Sequence, residues 1–270
     1  MTEPITESHL RRWLAAAEAA ALHGAEKLEE WRTRFSVREK SYADLVTEAD
    51  VAAQNAIHSV LHASCPEHSF LGEEDTPATV KGRVAPGSPP TWIVDPLDGT
   101  TNYVHDVPCY CVSIGLMVHG ELVVGVIFDP RQKEMFAAAQ GLGATLNGAR
   151  IQVSKTAALR ESLIATGFPP DPNAQKRNLA CWSSFAQKAQ ALRRTGSTAI
   201  NMAYVACGRF DGYWAFDNHA WDIAAGVVLI EEAGGKVTRV DGSKLDPFLP
   251  DLLATNEHLH IEMLTVLADS

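Results

Sequence analysis

Between residues 91 and 139 the chain passes through four short runs rich in β-branched, aromatic and other apolar residues: 91–95 (TWIVD), 111–118 (CVSIGLMV), 121–128 (ELVVGVIF) and 133–139. Runs of this length and composition read as strands. The His119-Gly120 step between two of them reads as a tight hairpin turn, which makes the sheet mainly antiparallel. Two helices precede it. Residues 8–34 carry Leu10, Trp13, Leu14, Ala17, Ala21, Ala25, Leu28 and Trp31 at helical spacing, with Glu and Arg between them. A second helix is expected from Thr47 to Ala63, with Val51, Ile57, Val60 and Leu61 on its buried side and Thr47 and Glu48 supplying the cap and first-turn charge. The stretch from Thr76 to Pro90, rich in Pro, Gly and Thr, reads as a surface loop.

The second half alternates. Helices are expected at 173–191, Ser197–Ala206, 221–233 (closed by Gly234-Gly235) and from Asn256 onward, with strands at 192–195, 211–216 and 236–240. Strand runs and helices segregated in this manner favour a layered α/β sandwich over a parallel doubly wound fold. No repeat, low-complexity tract or linker divides the 270 residues. The expectation is one domain, 1–270, with two intimate lobes of about 1–155 and 156–270.

Composition narrows the function classes. The formal net charge of −10 opposes binding to nucleic acid, which draws on clustered Lys and Arg. A metal can invert that sign locally and let an acidic protein hold a phosphorylated ligand. The five cysteines include no CxxC pair, so free thiols in a reducing compartment are expected. The N-terminus MTEPITESHLRRW lacks the apolar core of a signal peptide, and no apolar run reaches the ~20 residues of a membrane span. The expectation is a soluble, cytoplasmic protein without membrane contact.

The segment most informative about chemistry is Trp92-Ile93-Val94-Asp95-Pro96-Leu97-Asp98-Gly99-Thr100-Thr101-Asn102. A hydrophobic strand ends in Asp95, Pro96 stiffens the chain, and Asp98 follows three residues later. Two carboxylates this close repel unless a cation lies between them, and Mg²⁺ prefers such hard oxygen ligands. Gly99 and Thr100 open an expected helix whose amides would suit a phosphate oxygen. Asp-Pro and Asp-Gly are also ordinary turn formers. Two further segments add acids at the ends of apolar stretches: Ser69-Phe70-Leu71-Gly72-Glu73-Glu74-Asp75, otherwise a solvated loop, and Trp221-Asp222-Ile223, where Asp222 could serve simply as a helix-terminal charge.

These segments resemble the inositol monophosphatase family of lithium-sensitive, Mg²⁺-dependent phosphatases. The resemblance rests on Gly72-Glu73-Glu74, on Asp95-Pro96-Leu97-Asp98-Gly99-Thr100, and on Trp221-Asp222 with Ala224-Ala225-Gly226. Supporting stretches are Ala43–Thr47 with Asp50, Gly196-Ser197 before a helix, and Glu232-Ala233-Gly234-Gly235. It implies a layered α-β-α-β-α sandwich of the inositol monophosphatase and fructose-1,6-bisphosphatase type. It implies metal ligation by Glu73, Asp95, the Leu97 carbonyl, Asp98 and Asp222, with two or three Mg²⁺ ions. The implied mechanism has a metal-activated water attack phosphorus while Glu73 and Thr100 orient and deprotonate it, Asp50 holding the threonine. Substrate contacts would fall to Asp98, Gly99, Thr100, Gly196, Ser197, Thr198 and Asp222. The implied partners are a small phosphorylated metabolite and a second copy in a homodimer.

The chain departs from the family pattern in two places. Ala215 stands where a glutamate usually contacts inositol hydroxyls, and losing such a contact costs on the order of 1–3 kcal/mol. Asp217 lies two residues on, where a surface turn is the simpler reading. Glu39, followed by Lys40, stands where a mobile-loop lysine is usual. Histidinol phosphate, fructose-1,6-bisphosphate and 3′-phosphoadenosine phosphates therefore stand beside inositol-1-phosphate as substrates, and a regulatory binding protein on the same fold is the second class of reading. His58 and His62 share a helix face at metal-binding spacing but lack a third ligand, which favours surface roles. His219 could line the site or simply pack. Trp13 and Trp31 belong to the helical stripe, as core or dimer-interface residues.

Overall fold

The computed structural model describes residues 4–41, 44–75, 84, 87–169 and 171–270. Most of the expected 76–90 loop therefore lies outside the described residues. The chain opens with helix α1 (Glu7–Trp31), capped by Thr6, whose hydroxyl accepts from the His9 N–H. A hairpin of β1 (Val37–Ser41) and β2 (Asp44–Thr47) leads into α2 (Glu48–Ser64), with Thr47 as its cap.

Seven strands follow: β3 (Ser69–Gly72), β4 (Thr91–Asp98), β5 (Cys111–Val118), β6 (Glu121–Asp129), β7 (Glu134–Ala139), β8 (Gly143–Leu146) and β9 (Ala149–Arg150), with α3 (Thr100–Val104) between β4 and β5. They form one sheet in sequence order, antiparallel except for the β3–β4 pair. The β5–β6 turn has His119 at φ 54° and Gly120 at φ 85°, the doubly left-handed geometry that matches strand twist.

A second sheet has the order β11-β10-β12-β14-β13. Its strands are β10 (Leu163–Thr166), β11 (Ala191–Arg193), β12 (Gly212–Ala215), β13 (Lys236–Thr238) and β14 (Leu252–Thr255). The remaining helices are α4 (Gln175–Ala186), α5 (Thr198–Ala206), α6 (Ala220–Glu232) and α7 (His260–Ala268).

Strand periodicity sorts these elements into layers. On β5, Val112, Ile114 and Leu116 join Ala17, Ala20, Leu28 and Ile57 in a core beneath α1 and α2. The alternate residues turn the other way, where Cys111 and Ile127 meet α5 and α6 in a second core that reaches Tyr213 and Ala254 of the second sheet. A third core packs Phe185 of α4 and Met263 of α7 on Ile164, Trp214 and Leu253. The result is the five-layer α-β-α-β-α sandwich. Close docking of α6 depends on paired glycines: a Cβ on Gly115 would lie 2.6 Å from Ala224 Cβ, and one on Gly125 would lie 2.3 Å from the Ala225 carbonyl.

The elements differ from the sequence expectation in several places. Helix α1 stops at Trp31 rather than 34, and α7 starts at His260 rather than Asn256 because a turn, closed by the His260 N–H on the Glu257 carbonyl, follows the strand at 252–255. Val51 is 46% exposed, not buried, because Asp50, Ala53, Gln54, Ile57 and Leu61 take the inner face of α2. The polar pair on that face belongs to the site described next, so hydrophobicity misplaces the stripe. Trp13 is buried in the first core and Trp31 sits at its margin.

Candidate active site

Asp95 and Asp98 are three residues apart, so a regular strand would send them to opposite faces. The β4–β5 pairing prevents this. Asp95 is opposite Ser113 and Asp98 opposite Cys111, three residues against two, with the irregularity between. This bulge at Pro96-Leu97 restores the parity and turns both carboxylates toward the α5/α6 side of the sheet. The Leu97 side chain is buried in the opposite core, its N–H donates to Asp95 Oδ1 (2.9 Å), and its carbonyl accepts from Thr100 Oγ1 (3.1 Å).

Gly99 follows at φ 100°, and a Cβ there would also meet the Cys109 carbonyl at 2.9 Å. Only glycine suits that turn. It starts α3 at Thr100, whose hydroxyl lies 3.4 Å from Asp50 Oδ1. Asp50 is held in turn by α2's own capping box, its Oδ2 accepting from the Thr47 N–H (2.8 Å) and hydroxyl (2.6 Å).

Glu73 comes from the end of β3, where its N–H continues the parallel pairing to the Val94 carbonyl (3.1 Å). Its side chain is in hydrogen-bond contact with Asp95. Gln54, one turn beyond Asp50 on α2, fixes this corner by accepting the Glu74 N–H at 2.9 Å. Asp222 arrives from the first turn of α6, accepting the His219 N–H at 2.7 Å. The His219 ring stacks on Trp221.

Asp98 is bound to the start of α5. Its Oδ2 accepts from the Ser197 hydroxyl (2.6 Å) and the Ala199 N–H (2.5 Å), and its Oδ1 from the Thr198 N–H (3.2 Å). The helix terminus that sequence assigns to substrate through Gly196, Ser197 and Thr198 is thus engaged with a carboxylate of the protein. Ser197 is buried, and Thr198 Oγ1 meets the Tyr213 hydroxyl at 3.0 Å. Asn102 ties this turn to the α3 loop by donating to the carbonyls of Cys109 (2.7 Å) and Thr195 (2.9 Å). Gly196, at φ 91°, packs against the Asn102 amide.

Electrostatics identify the spot as a strongly negative one. Burial raises the Asp95 carboxyl well above its usual range, and the charges of Glu73, Asp98 and Asp222 push it further. Asp98 is lifted to about 6 by burial, against the lowering effect of Ser197, Ala199 and Thr198. Asp222 is raised by burial too, opposed by the His219 N–H. Buried carboxylates that destabilise one another in this way call for a cation. The four carboxylates and the Leu97 carbonyl are hard oxygen donors, and the Cys111 thiol, 3.8 Å from Asp98 Oδ2, is held protonated by burial, so the set fits Mg²⁺ better than a softer metal.

A cleft of about 690 Å³ opens over Asp98 between α3 and the start of α5, bordered by Gly167, Phe168 and Arg194. Ala215 ends β12 near it: a Cβ on Gly167 would lie 3.7 Å from Ala215 Cβ and 3.9 Å from Thr198 Oγ1. Asp217 is exposed in a turn at φ 64°. His58 and His62 stack on each other at the surface, with no third ligand among the described residues. The side chains of Glu39 and Lys40 lie outside the described residues.

Residues 9–269 match the family described as the inositol monophosphatase family. The chain belongs to that family. An inositol-1-monophosphatase from Synechocystis sp. is 44% identical over 264 residues, covering 97% of this chain and 90% of the relative. A Nus factor SuhB from Pseudomonas aeruginosa is 41% identical over 213 residues, 77% of each chain. The crystal structure of the extragenic suppressor protein suhB from Bartonella henselae superposes with a TM-score of 0.87 at 36% identity, covering 94% of this chain and 97% of that one. A more distant IMPase/NADP phosphatase complexed with Mg²⁺ and phosphate gives a TM-score of 0.78 at 25% identity, with 91% of both chains covered. This member of the inositol monophosphatase family is a phosphoric monoester hydrolase. Among its described residues, no helix is long and apolar enough to cross a membrane.

Sequence reading missed Gln54 and Asn102 as parts of the site. Gln54 carries a signal in retrospect, because it lies one helical turn from Asp50 on the same face. Asn102 stands inside the segment already singled out, but its two partners are distant in sequence or hidden in a loop.

Proposed function

We propose that the protein hydrolyses a small phosphate monoester in a Mg²⁺-dependent reaction, with Glu73, Asp95, Asp98, Asp222 and the Leu97 carbonyl as metal ligands. The observation that carries this reading is the bulge in β4, which turns Asp95 and Asp98 to one face, where Glu73 and Asp222 act on them. Two or three Mg²⁺ ions held there would neutralise the phosphate and activate a water molecule.

The chain's own groups do the rest. Glu73 accepts the proton of the attacking water. The Thr100 hydroxyl donates toward Leu97 O or Asp50, which leaves its oxygen free to accept a hydrogen bond from that water. Asp50, locked by Thr47, sets the hydroxyl's direction. The Gly99-Thr100 amides face the phosphate oxygens. Attack is in line: as the new P–O bond forms, the one to the substrate breaks, and the departing alkoxide takes a proton from water to leave as the alcohol.

The decisive test is phosphate release from a panel of inositol-1-phosphate, fructose-1,6-bisphosphate, histidinol phosphate and 3′-phosphoadenosine phosphates, with and without Mg²⁺. Inositol-1-phosphate leads the panel, and Ala215 is the reason for testing the others. Asp95→Asn and Asp222→Asn should abolish turnover while circular dichroism stays unchanged. Full activity in both would refute the site. Lithium should inhibit by replacing one Mg²⁺, and gel filtration should give a dimer.

A second reading is favoured by one observation, the similarity to a protein named as a Nus factor. On that reading the fold serves a protein partner and turnover is secondary. It gains ground if Mg²⁺ produces no thermal shift and no panel substrate is hydrolysed.

A further inference from the structure

A second group of potential metal ligands lies at the far end of α2, about 22 Å along the helix from Asp50. Cys65 closes this helix with its N–H on the Leu61 carbonyl (2.8 Å), and the His68 N–H returns to the Cys65 carbonyl (3.1 Å). That bond closes a tight turn over Cys65-Pro66-Glu67-His68, with proline at the position its fixed φ suits. The turn gathers one potential ligand atom from each of Cys65, Glu67 and His68 within 4.8 Å of the others.

The histidine is the anomalous member. Its side chain is 1% exposed and lies between the rings of Trp13 and Trp92, each 5.5 Å away between centroids. Nε2 faces Glu67 Oε1 at 3.6 Å, too far for a hydrogen bond, and among the described residues Nδ1 has no hydrogen-bond partner. Buried imidazole nitrogens are normally satisfied, and a cation at Nε2, the nitrogen that faces Glu67, would give this ring one partner while leaving Nδ1 as it is. Cys65 is equally buried, whereas Glu67 lies at the solvent rim, 3.7 Å from Arg12.

We propose that Cys65, Glu67 and His68 form a Zn²⁺ site separate from the carboxylate cluster. A thiolate, an imidazole and a carboxylate suit zinc, whereas Mg²⁺ wants oxygen alone. Zinc bonds of about 2.0–2.3 Å place tetrahedral ligands about 3.3–3.8 Å apart. The Glu67–His68 spacing of 3.6 Å is close to that range, and since no separation exceeds 4.8 Å the others need to close by about 1 Å at most. Burial keeps the His68 ring below its ordinary range, hence neutral and able to coordinate. The thiol releases its proton to solvent on binding. The exposed rim beside Glu67 leaves the fourth position to water. Bound metal would clamp the turn that joins α2, which carries Asp50 and Gln54, to β3, which carries Glu73.

The test uses the whole protein, freed of metal with chelator and then saturated with Mg²⁺, titrated with Co²⁺ as a spectroscopic substitute for Zn²⁺. The expected result is one Co²⁺ per chain with a thiolate-to-cobalt charge-transfer band, removed by stoichiometric Zn²⁺. Cys65→Ser should abolish the band. Glu67→Gln, at the surface and therefore safe for folding, should weaken Co²⁺ binding about tenfold or more, with an unchanged Tm in chelator. Absence of the band, or a band that survives Cys65→Ser because Cys109 or Cys111 supplies the sulfur, overturns the proposal.

Discussion

Replacing Ser197 with alanine tests whether the start of α5 tunes Asp98, a proposed metal ligand, or merely caps a helix. The Ser197 hydroxyl donates to Asp98 Oδ2 at 2.6 Å and accepts from the Ile200 N–H at 3.2 Å. Loss of the cap costs about 1 kcal/mol, and loss of a hydrogen bond to a carboxylate about 1.5–3 kcal/mol. Because the two share one oxygen, Ser197→Ala should destabilise by roughly 2–4 kcal/mol, or about 4–10 °C in Tm. The hydroxyl is also the strongest influence holding the Asp98 carboxyl down toward about 6. Without it the carboxyl takes a proton more readily, and that proton competes with the cation. The sign is therefore definite: the acid limb of the activity profile moves to higher pH. The Mg²⁺ concentration for half-maximal rate should rise more at about pH 6 than at about pH 8. Phosphate release across a grid of pH and Mg²⁺ measures this, and Ser197→Thr, which keeps the hydroxyl, should restore both properties. A loss of Tm with the same Mg²⁺ requirement at both pH values would reduce Ser197 to a helix cap and refute the reasoning.

Three further outcomes are expected. Gly99→Ala forces a side chain into a left-handed residue and against the Cys109 carbonyl, so it should cost at least about 1–2 kcal/mol and displace Thr100; an unchanged Tm and rate would count against this turn. Asp50→Ala removes the anchor of Thr100, and kcat should fall by up to about a hundredfold with little change in KM; a change confined to KM would contradict the positioning role. His260, buried between the hydroxyls of Thr238 (3.0 Å) and Thr255 (2.9 Å), is pushed down by burial to about 4. Its folded form resists protonation, so its contribution is full above the ordinary histidine range of about 6.5 and is lost as pH falls toward 4, by roughly 3 kcal/mol. The buried acids shift in the opposite sense, so urea midpoints of wild type and His260→Gln must be compared between about pH 7 and pH 4. Parallel pH dependence in the two proteins would remove the assignment.

The layers were legible in the sequence wherever a strand or helix buries one face completely. Strands β4 to β7 and helices α1, α5 and α6 were expected at nearly their observed positions, because apolar periodicity and turn residues agree there. The strands β1, β2, β8, β9, β10 and β14 were harder to see: nearly all have four residues or fewer, too little for a period to register, whereas the equally short β11, β12 and β13 are marked by the helices next to them. The misplaced face of α2 has a different cause. Asp50 and Gln54 can be buried because each is hydrogen-bonded there, Asp50 to Thr47 and Gln54 to the Glu74 N–H, and a reading that seeks apolar stripes puts Val51 inside instead.

The carboxylates were legible for a reason that the bulge makes physical. The spacing from Asp95 to Asp98 makes no sense on a flat strand, where the two would face apart, and it becomes useful once one extra residue intervenes. Pro96 supplies the device, since it cannot donate to the ladder and therefore favours an interruption at that point. The extra residue brings Asp98 round to the start of α5. There the amides that would suit a phosphate stabilise one of the protein's own acids. Sequence identifies Asp98 and the α5 terminus separately, but not that one satisfies the other across 100 residues. On the proposed function, phosphate recognition falls to Gly99 and Thr100 and to any cation held by the cluster. On that proposal, this division leaves the cleft beside Asp98, with the buried Ala215 behind its Gly167 wall, free to vary with the alcohol half of the substrate.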